Sequence, residues 1–242
     1  MVSVCMATYN GEKFIREQLN SILCQLGEED ELVISDDSST DRTVRIIEEM
    51  NDSRVHLIHG NHFASPIYNL ENALKHCRGD YIFLADQDDV WMKNKVSVMM
   101  RYLPEYDCVV SDAIVVDRDL NVLYDSFFAY RKSGPGLLKN LFKNRYMGCS
   151  MAFTRAVLEK TLPFPRDIPM HDSWIGLIAE MTGKTIFIDD KLIMYRRHGR
   201  NVSNIGQPSN LTYTARIRNR VHLMQNLRRR MRFLRRRQEP KS

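Results

Sequence analysis

The chain has 242 residues, of which 27% are charged and 43% hydrophobic, and its formal net charge is +5. This length suits one domain with a tail. Five cysteines, an odd number without a Cys-x-x-Cys spacing, favour reduced cytosolic thiols over a disulfide framework. No signal peptide precedes the first predicted strand, and no apolar run reaches the roughly 18 residues that span a bilayer, so we expect a cytoplasmic protein.

Short apolar strands and amphipathic helices alternate along the chain. The first predicted strand is followed by a polar turn and then by apolar residues at helical spacing. Alternation of this kind predicts an α/β fold with a mostly parallel sheet and helices on both faces. Strands are predicted at 2–6, 31–35, 55–59, 81–85 and 192–194, and helices at 14–26, 44–50, 68–77 and 93–103.

Polar turns follow three of these strands, at 7–11, 36–41 and 86–89. In open α/β sheets the ligand lies outside the carboxyl ends of the strands, so these turns are expected at one ligand-binding edge. The turn at 86–89 holds three carboxylates, which repel one another unless a cation offsets them, and Mg²⁺ or Mn²⁺ is the natural ion. A cap for a helix beginning near Trp91 is the alternative. The turn alone favours neither.

The three turns together resemble those of the family 2 glycosyltransferases, which have the GT-A fold. The similarity runs from about residue 2 to residue 203, and the forms at 7–11 and 86–91 are similar to those of bacterial rhamnosyltransferase-like members that build surface polysaccharides. The resemblance implies a Rossmann-like GT-A domain. It also implies inverting transfer from a UDP- or dTDP-sugar to a saccharide or lipid-linked acceptor. The Gln-x-x-Arg-Trp signature of processive synthases is absent, which favours transfer of a single sugar at each encounter.

The resemblance also implies which residues bind the nucleotide-sugar. Asp37 is expected to accept the imide N–H of uracil or thymine, Asp36 to hold the turn, and Tyr9 to stack on the base. A helix cap for either aspartate and a buried turn position for Tyr9 are the alternatives. The predicted nucleotide-sugar-binding residues are Ala7, Thr8, Tyr9, Asn10, Asp37, Asp86 and Gln87.

Metal and catalytic roles follow from the same resemblance. Asp88 and His198 are the predicted ligands of Mg²⁺ or Mn²⁺, with Asp86 nearer the ribose. Asp172 matches the carboxylate that takes the proton from the attacking hydroxyl, with an N-cap as the alternative. Further acceptor or diphosphate contacts are predicted for Gly148, His171, Trp174 and Arg197, with backbone freedom as the role of Gly148 and a core position as the alternative for Trp174.

The carboxyl-terminal segment differs from the rest of the chain in charge. Residues 214–242 carry ten arginines and Lys241 against Glu239, a balance of +10, so residues 1–213 carry 5 minus 10, about −5. We predict a catalytic domain at 1–210 and an arginine-rich amphipathic helical tail at 211–242. The apolar stripe of this tail comprises Ile217, Val221, Met224, Leu227, Met231 and Leu234.

Such a helix is typical of attachment to an anionic membrane, which would make the protein peripheral on the cytoplasmic face. A helix docked on the catalytic domain, an oligomerisation seam and a disordered tail are the alternatives.

Two other functions compete with glycosyl transfer. Nucleic-acid binding through the tail is not expected, because the body is acidic and lacks a recognised module. A sugar nucleotidyltransferase would normally carry a Gly-rich phosphate loop, which Gly11, Glu12 and Lys13 do not provide.

Overall fold

The computed structural model describes residues 1–198 and 212–238. Its strands are β1 (Val2–Thr8), β2 (Glu31–Asp36), β3 (Val55–Ile58), β4 (Tyr81–Asp86), β5 (Val90–Trp91), β6 (Cys108–Val116), β7 (Val122–Tyr124), β8 (Met151–Thr154) and β9 (Thr185–Arg196). Its helices are α1 (Ile15–Leu23), α2 (Thr43–Glu48), α3 (Pro66–His76), α4 (Lys95–Met99), α5 (Phe127–Arg131), α6 (Leu137–Phe142), α7 (Arg155–Thr161), α8 (His171–Thr182) and α9 (Tyr213–Gln238), with a 3-10 turn at Gly148–Ser150.

The strands form one sheet in the order β3-β2-β1-β4-β8-β6-β9-β5, with β7 paired to β6. Pairs β3-β2, β2-β1, β1-β4 and β6-β9 are parallel, whereas β8, β5 and β7 run antiparallel to their neighbours. The central strands β1 and β2 are almost wholly buried, as expected of strands covered on both faces. The predicted mostly parallel α/β sheet is therefore confirmed.

Two apolar clusters cover the two faces of the sheet. Neighbouring residues of β1 enter different clusters, Val4 the first and Cys5 the second, because successive strand side chains point to opposite faces. The first cluster includes the apolar stripe of α1, and the second includes residues of α3 and α8. The sheet is thus held between helical layers, and its carboxyl-terminal edge is left to the connecting turns.

The acidic turn at 86–89 does not lead into a helix. Val90 and Trp91 form β5, which pairs with Met194 and Ile193 of β9, and α4 begins only at Lys95. The Trp91 ring is buried and lies 6.0 Å from the ring of Phe83, measured between centroids. The alternative in which this turn caps a helix near Trp91 is therefore wrong.

Helix α9 docks on the sheet-containing part of the chain along part of its length. Leu223 and Leu227 are buried in the second apolar cluster, and the Arg230 guanidinium lies 5.4 Å from the centre of the Trp174 ring. The same guanidinium donates hydrogen bonds to the carbonyls of Lys160 and Leu162. The boundary predicted between residues 210 and 211 lies outside the described residues, and the division into domain and tail stays a prediction. Within the described ranges, every helix is too short or too polar to cross a bilayer.

Candidate functional site

The three polar turns meet at the carboxyl-terminal edge of the sheet. In the parallel register Thr8 lies opposite Asp36, and Ala7 lies opposite Asp86. They border a cavity of about 1470 Å³. Of the predicted site residues, Trp174 and Arg197 do not line this cavity. The predicted residues that line it are Ala7, Thr8, Tyr9, Asn10, Asp37, Asp86, Gln87, Asp88, Gly148, His171, Asp172 and His198.

Asp36 holds the second turn, as expected. Its buried carboxylate accepts hydrogen bonds from the Ser39 backbone N–H at 2.8 Å and from the Thr8 hydroxyl at 2.8 Å. The Thr8 carbonyl in turn accepts from the Asn69 side chain at 3.0 Å and from the Asp37 N–H at 3.0 Å. The polar groups of Thr8 are therefore occupied within the scaffold, and its hydroxyl serves the turn.

Gln87 and Asn10 join neighbouring turns. The Gln87 amide accepts from the Tyr9 N–H at 2.9 Å and donates to the Tyr9 carbonyl at 3.0 Å, so it pairs the first turn with the acidic turn. Asn10, which has a positive φ of 48°, accepts from the Thr40 N–H at 2.8 Å. With its backbone fixed in this way, Tyr9 leaves 56% of its surface exposed beside the cavity.

Asp37 fixes the loop that borders the cavity after β3. Its two carboxylate oxygens accept from the backbone N–H groups of Phe63 and Ser65. His62, Ala64 and Ser65 of this loop line the cavity. Each carboxylate oxygen has a second lone pair, so the loop contacts leave Asp37 able to accept one more hydrogen bond.

Asp88 and His198 form a pair on the cavity wall. The Asp88 carboxylate lies 2.6 Å from Nε2 of His198, and the two side chains are 15% and 11% exposed. The His198 ring stacks on Phe14 with 4.9 Å between centroids. One carboxylate oxygen and one imidazole nitrogen are a donor set that suits Mn²⁺ better than Mg²⁺. These two side chains would supply a divalent cation with one carboxylate ligand and one imidazole ligand.

Asp86 and Asp89 belong to a second, inner group with Cys149. Ligand atoms of these three residues lie within 4.8 Å of one another. Burial, together with the neighbouring Asp88 carboxylate, raises the pKa of Asp86 to about 7, and it also raises the pKa of Asp89 well above its usual value. Two carboxylates this close therefore tend to hold a proton between them at neutral pH.

Lys95 is the cation that faces this inner group. It is fully buried, its ammonium donates to the Cys149 carbonyl, and it lies 4.0 Å from the centre of the Trp91 ring. Burial lowers the pKa of Lys95 to about 7, while the nearby Asp89 and Asp86 carboxylates oppose that shift. Lys95 thus offsets part of the acidic charge without a metal. The residues next to Lys95 in the sequence form no motif that would have predicted this role.

Replacing Lys95 by Met is expected to lower the free energy of unfolding by about 1 to 3 kcal/mol, because it removes the donor to the Cys149 carbonyl and the cation beside the inner carboxylates. The control is Lys93→Met. Lys93 lies two residues before Lys95 and is exposed, so its replacement should change stability little. Urea denaturation at neutral pH measures both variants. Equal midpoints for Lys95→Met and the parent chain would mean that Lys95 does not compensate the inner carboxylates.

Arg196 forms hydrogen bonds that hold the acidic turn at 86–89 in place. Its guanidinium donates to the Asp88 carbonyl at 2.8 Å and pairs with Glu17, while its backbone N–H donates to the Asp89 carboxylate at 2.9 Å. It also lies 4.7 Å from the centre of the Phe14 ring. The role of Arg196 was not predictable from the sequence, because its partners come from distant segments that only the position of β9 beside β5 brings together.

Asp172 lies in the first turn of α8 and lines the cavity, close enough to Asp86 for its charge to contribute to the raised pKa of that carboxyl. The N-cap of α8 is Met170, so the N-cap alternative for Asp172 is wrong. Its carboxylate accepts from the Asn144 amide at 2.9 Å and from the Ser173 N–H. Burial raises the pKa of Asp172 to about 6, although these hydrogen bonds and the Arg131 charge oppose the shift.

Asn144 and Arg131 also line the cavity, and sequence analysis did not single them out. Arg131 ends α5 and Asn144 follows α6, and neither belongs to a recognisable motif, so only the structure reveals their relation to Asp172. Asn144 also accepts from the Tyr146 N–H at 3.1 Å, which fixes the orientation of its amide.

Gly148 and His171 pack against each other next to Asp172. A Cβ added to Gly148 would lie 2.6 Å from Nε2 of His171, and Gly148 is not among the glycines with positive φ. Its role is therefore close approach to the imidazole, which corrects the expectation of backbone freedom. Burial lowers the pKa of His171 to about 4, so this imidazole is neutral at physiological pH.

Trp174 and Arg197 are not brought to the cavity. Trp174 is fully buried in the second apolar cluster, and its indole N–H donates to the Thr161 carbonyl at 3.0 Å. The apolar face of α8 is directed at the sheet, which places Trp174 in the core and corrects its expected acceptor contact. The backbone N–H of Arg197 donates to the Val116 carbonyl at 2.9 Å, and its side chain does not line the cavity.

This chain is similar in sequence to two glycosyltransferases described next, and in structure to a third. It is 30% identical to the dTDP-rhamnosyl transferase RfbG of Shigella flexneri, across 91% of this chain and 79% of RfbG. It is 28% identical to the UDP-Glc:alpha-D-GlcNAc-diphosphoundecaprenol beta-1,3-glucosyltransferase WfgD of Escherichia coli, across 74% of this chain and 70% of WfgD. Among solved structures, the mannosyltransferase PcManGT of Pyrobaculum calidifontis, in complex with GDP-Man and Mn²⁺, superimposes with a TM-score of 0.62 and 25% identity.

That superposition covers 85% of this chain, which spans 58% of the PcManGT chain, and it confirms the predicted GT-A fold. The Glycosyl transferase family 2 model matches residues 3–162, which include the three polar turns that border the cavity. The relation to RfbG extends the similarity over nearly the whole chain. The chain belongs to glycosyl transferase family 2.

Proposed function

We propose that this glycosyltransferase moves a single sugar from a UDP- or dTDP-activated donor to a saccharide or lipid-linked acceptor in the synthesis of a cell-surface polysaccharide, with inversion at the anomeric carbon. The observation that carries the proposal is the position of Asp172. This buried carboxylate lines the same cavity as the Asp88 and His198 pair, Tyr9 and Asp37. A donor bound along the turns would therefore present its sugar between a cation site and a base.

The donor side of the cavity favours a uracil or thymine base. An accepting carboxylate at Asp37 suits the imide N–H of these bases, whereas the corresponding ring nitrogen of cytosine carries no proton. The exposed Tyr9 ring offers a stacking surface, which contributes on the order of 1 to 3 kcal/mol in comparable base contacts. The names of RfbG and WfgD specify a dTDP-sugar and a UDP-sugar respectively, which supports the same choice.

Asp172 would act as the general base. The acceptor hydroxyl attacks the anomeric carbon on the face opposite the diphosphate, its proton passes to the Asp172 carboxylate, and the nucleoside diphosphate departs. The raised pKa of Asp172, about 6, makes it a stronger base than an ordinary aspartate while it remains ionised at neutral pH. The Asn144 amide holds the carboxylate in place. Mg²⁺ or Mn²⁺ held by Asp88 and His198 would neutralise the charge of the diphosphate.

A thermal-shift screen of nucleotide-sugars in the presence of Mn²⁺ tests the donor assignment. A ligand at a hundred times its dissociation constant stabilises the native state by about 2.7 kcal/mol, which for a chain of this size raises Tm by about 5 to 10 °C. UDP- or dTDP-sugars should give this shift, and CDP-sugars should not. A shift with CDP-sugars alone would contradict the proposal. Release of pyrophosphate from a nucleoside triphosphate and a sugar phosphate would instead favour nucleotidyl transfer.

We also propose that the protein works at the cytoplasmic face of a membrane. Helix α9 leaves Ile217 and Val221 exposed, at 44% and 37%, among the arginines of the tail. An apolar and cationic surface of this kind favours anionic lipid. The WfgD name specifies a diphosphoundecaprenol acceptor, which supports a lipid-linked acceptor for this chain as well.

A further inference from the structure

Helix α6 is amphipathic, and its outer face is apolar as well as charged. Leu137 and Leu141 pack against the second apolar cluster, whereas Leu138 and Phe142 point outward and are 69% and 62% exposed. Residues four apart lie on one face of a helix, so Leu138 and Phe142 form a single exposed ridge. Lys139 and Lys143 are exposed beside it. These four residues, Leu138, Lys139, Phe142 and Lys143, are called the α6 ridge below.

The segment that carries the α6 ridge is strongly cationic. Residues 131–145 contain five basic residues and no carboxylate, although residues 1–213 as a whole carry about −5. Large exposed apolar side chains surrounded by cations are complementary to anionic lipid, which offers hydrocarbon beneath a layer of phosphates. A second copy of this chain is a poor match, because an isologous contact through this surface would place like charges opposite one another.

The α6 ridge lies next to the acceptor side of the cavity. Asn144 follows Lys143 directly, lines the cavity and donates to Asp172. Arg131, at the end of α5, lines the cavity from the same segment. Helix α6 also contacts α9, and the two helices share the second apolar cluster. A surface resting on this face would therefore sit close to the base.

We propose that the α6 ridge is a membrane-docking surface that inserts Leu138 and Phe142 among anionic lipids, with Lys139 and Lys143 against the lipid phosphates, and so presents the Asp172 side of the cavity to a lipid-linked acceptor. The link to the acceptor rests on the proposed function. The docking itself is independent of nucleotide and sugar.

Sedimentation of the full chain with phosphatidylcholine vesicles, with and without phosphatidylglycerol, tests the docking in the absence of nucleotide. Leu138→Ser with Phe142→Ser should weaken binding about tenfold through lost apolar insertion. Lys139→Glu with Lys143→Glu should weaken it at least as much through lost attraction. Raised salt should weaken binding of the parent chain.

The matched control is Val122→Ser with Leu123→Ser on strand β7. These residues are 61% and 49% exposed, but three aspartates and one arginine occupy residues 117–125, so this patch is acidic. The control should bind vesicles as the parent chain does. Because Leu223 and Leu227 are core residues, deleting the tail would disturb folding, so α9 is tested by Arg228→Glu with Arg232→Glu on its exposed side.

Parent-like binding by both α6 variants would overturn the proposal, as would equal binding to vesicles with and without phosphatidylglycerol. Loss of binding in the α9 variant alone would assign docking to the tail and not to α6. Self-association of the parent chain that the α6 variants abolish would identify the ridge as a contact between copies. The thermal shift with donor should persist in every α6 variant, and its absence in the parent chain would sink the proposed function while leaving the vesicle result intact.

Discussion

Replacing Asp172 by Asn is expected to slow sugar transfer by about a hundredfold to ten-thousandfold while leaving donor binding unchanged. Asn has the same shape and keeps a hydrogen-bond acceptor for the Ser173 N–H, but it cannot take the proton of the acceptor hydroxyl. Transfer is measured as release of the nucleoside diphosphate, and binding is measured by thermal shift. The exposed Asp167, five residues earlier, supplies the control, and Asp167→Asn should behave as the parent chain.

The pH dependence of transfer gives a second measure of the same role. Below the raised pKa of Asp172, about 6, the carboxyl is protonated and cannot act as a base, so kcat/KM of the parent chain should fall as pH falls through 6. Residual activity of Asp172→Asn should lack this limb. Transfer at the parent rate by Asp172→Asn would rule out Asp172 as the base and leave Asp86, with a pKa of about 7, as the carboxyl to test next.

Replacing Asp88 by Ala is expected to weaken donor binding in Mn²⁺ about a hundredfold or more, and to bring it to the level that the parent chain shows in EDTA. The change removes the carboxylate that faces His198 but keeps the backbone carbonyl that Arg196 contacts. His198→Ala should have a smaller effect, since it removes a neutral ligand. Asp190→Ala, on the exposed part of β9, is the control and should leave binding unchanged.

Isothermal titration with and without Mn²⁺ separates the two groups of carboxylates. If Asp88→Ala keeps metal-dependent binding and Asp86→Asn loses it, the cation belongs to the inner group of Asp86, Asp89 and Cys149. We expect the opposite, because Lys95 already offsets the inner group and its ammonium is buried beside it. In that case Lys95→Met should reduce stability without removing metal dependence.

The sheet and its ligand-binding edge were predictable because their signals are local. The strands before Thr8, Asp36 and Asp86 are continuous apolar runs, and each ends in a polar turn. Parallel pairing then places those turns side by side whatever the rest of the chain does. The resemblance implied that Asp36 holds its turn, and its three hydrogen bonds within the described residues confirm this role.

Features that depend on distant partners were not predictable. Trp91 fits a helix or a strand by sequence, and the partner that decides for a strand is Ile193, about a hundred residues later. Arg196 and Asn144 carry no motif, yet one fixes the acidic turn and the other holds Asp172. Trp174 looked like a site residue because it follows Asp172, but the helical period turns it toward the core.

The periodicity of apolar residues in α9 did not predict which of its residues are buried. The predicted stripe included Ile217, Val221 and Leu227, of which only Leu227 is buried, and Leu223 outside the stripe is buried as well. The Arg230 contact with Trp174 shifts the packed face toward these two leucines. The exposed part of the stripe remains available for the membrane role proposed for the tail.

Titration of the full chain with UDP and with dTDP, first in Mn²⁺ and then in EDTA, tests the account most directly. A nucleoside diphosphate bound across the three turns and the Asp88 and His198 pair should bind measurably in Mn²⁺, with at least one of the two bases, and should lose most of that affinity in EDTA. Binding that is equal in EDTA, or that is unaffected by Asp88→Ala, would contradict a metal-dependent donor site at this edge of the sheet.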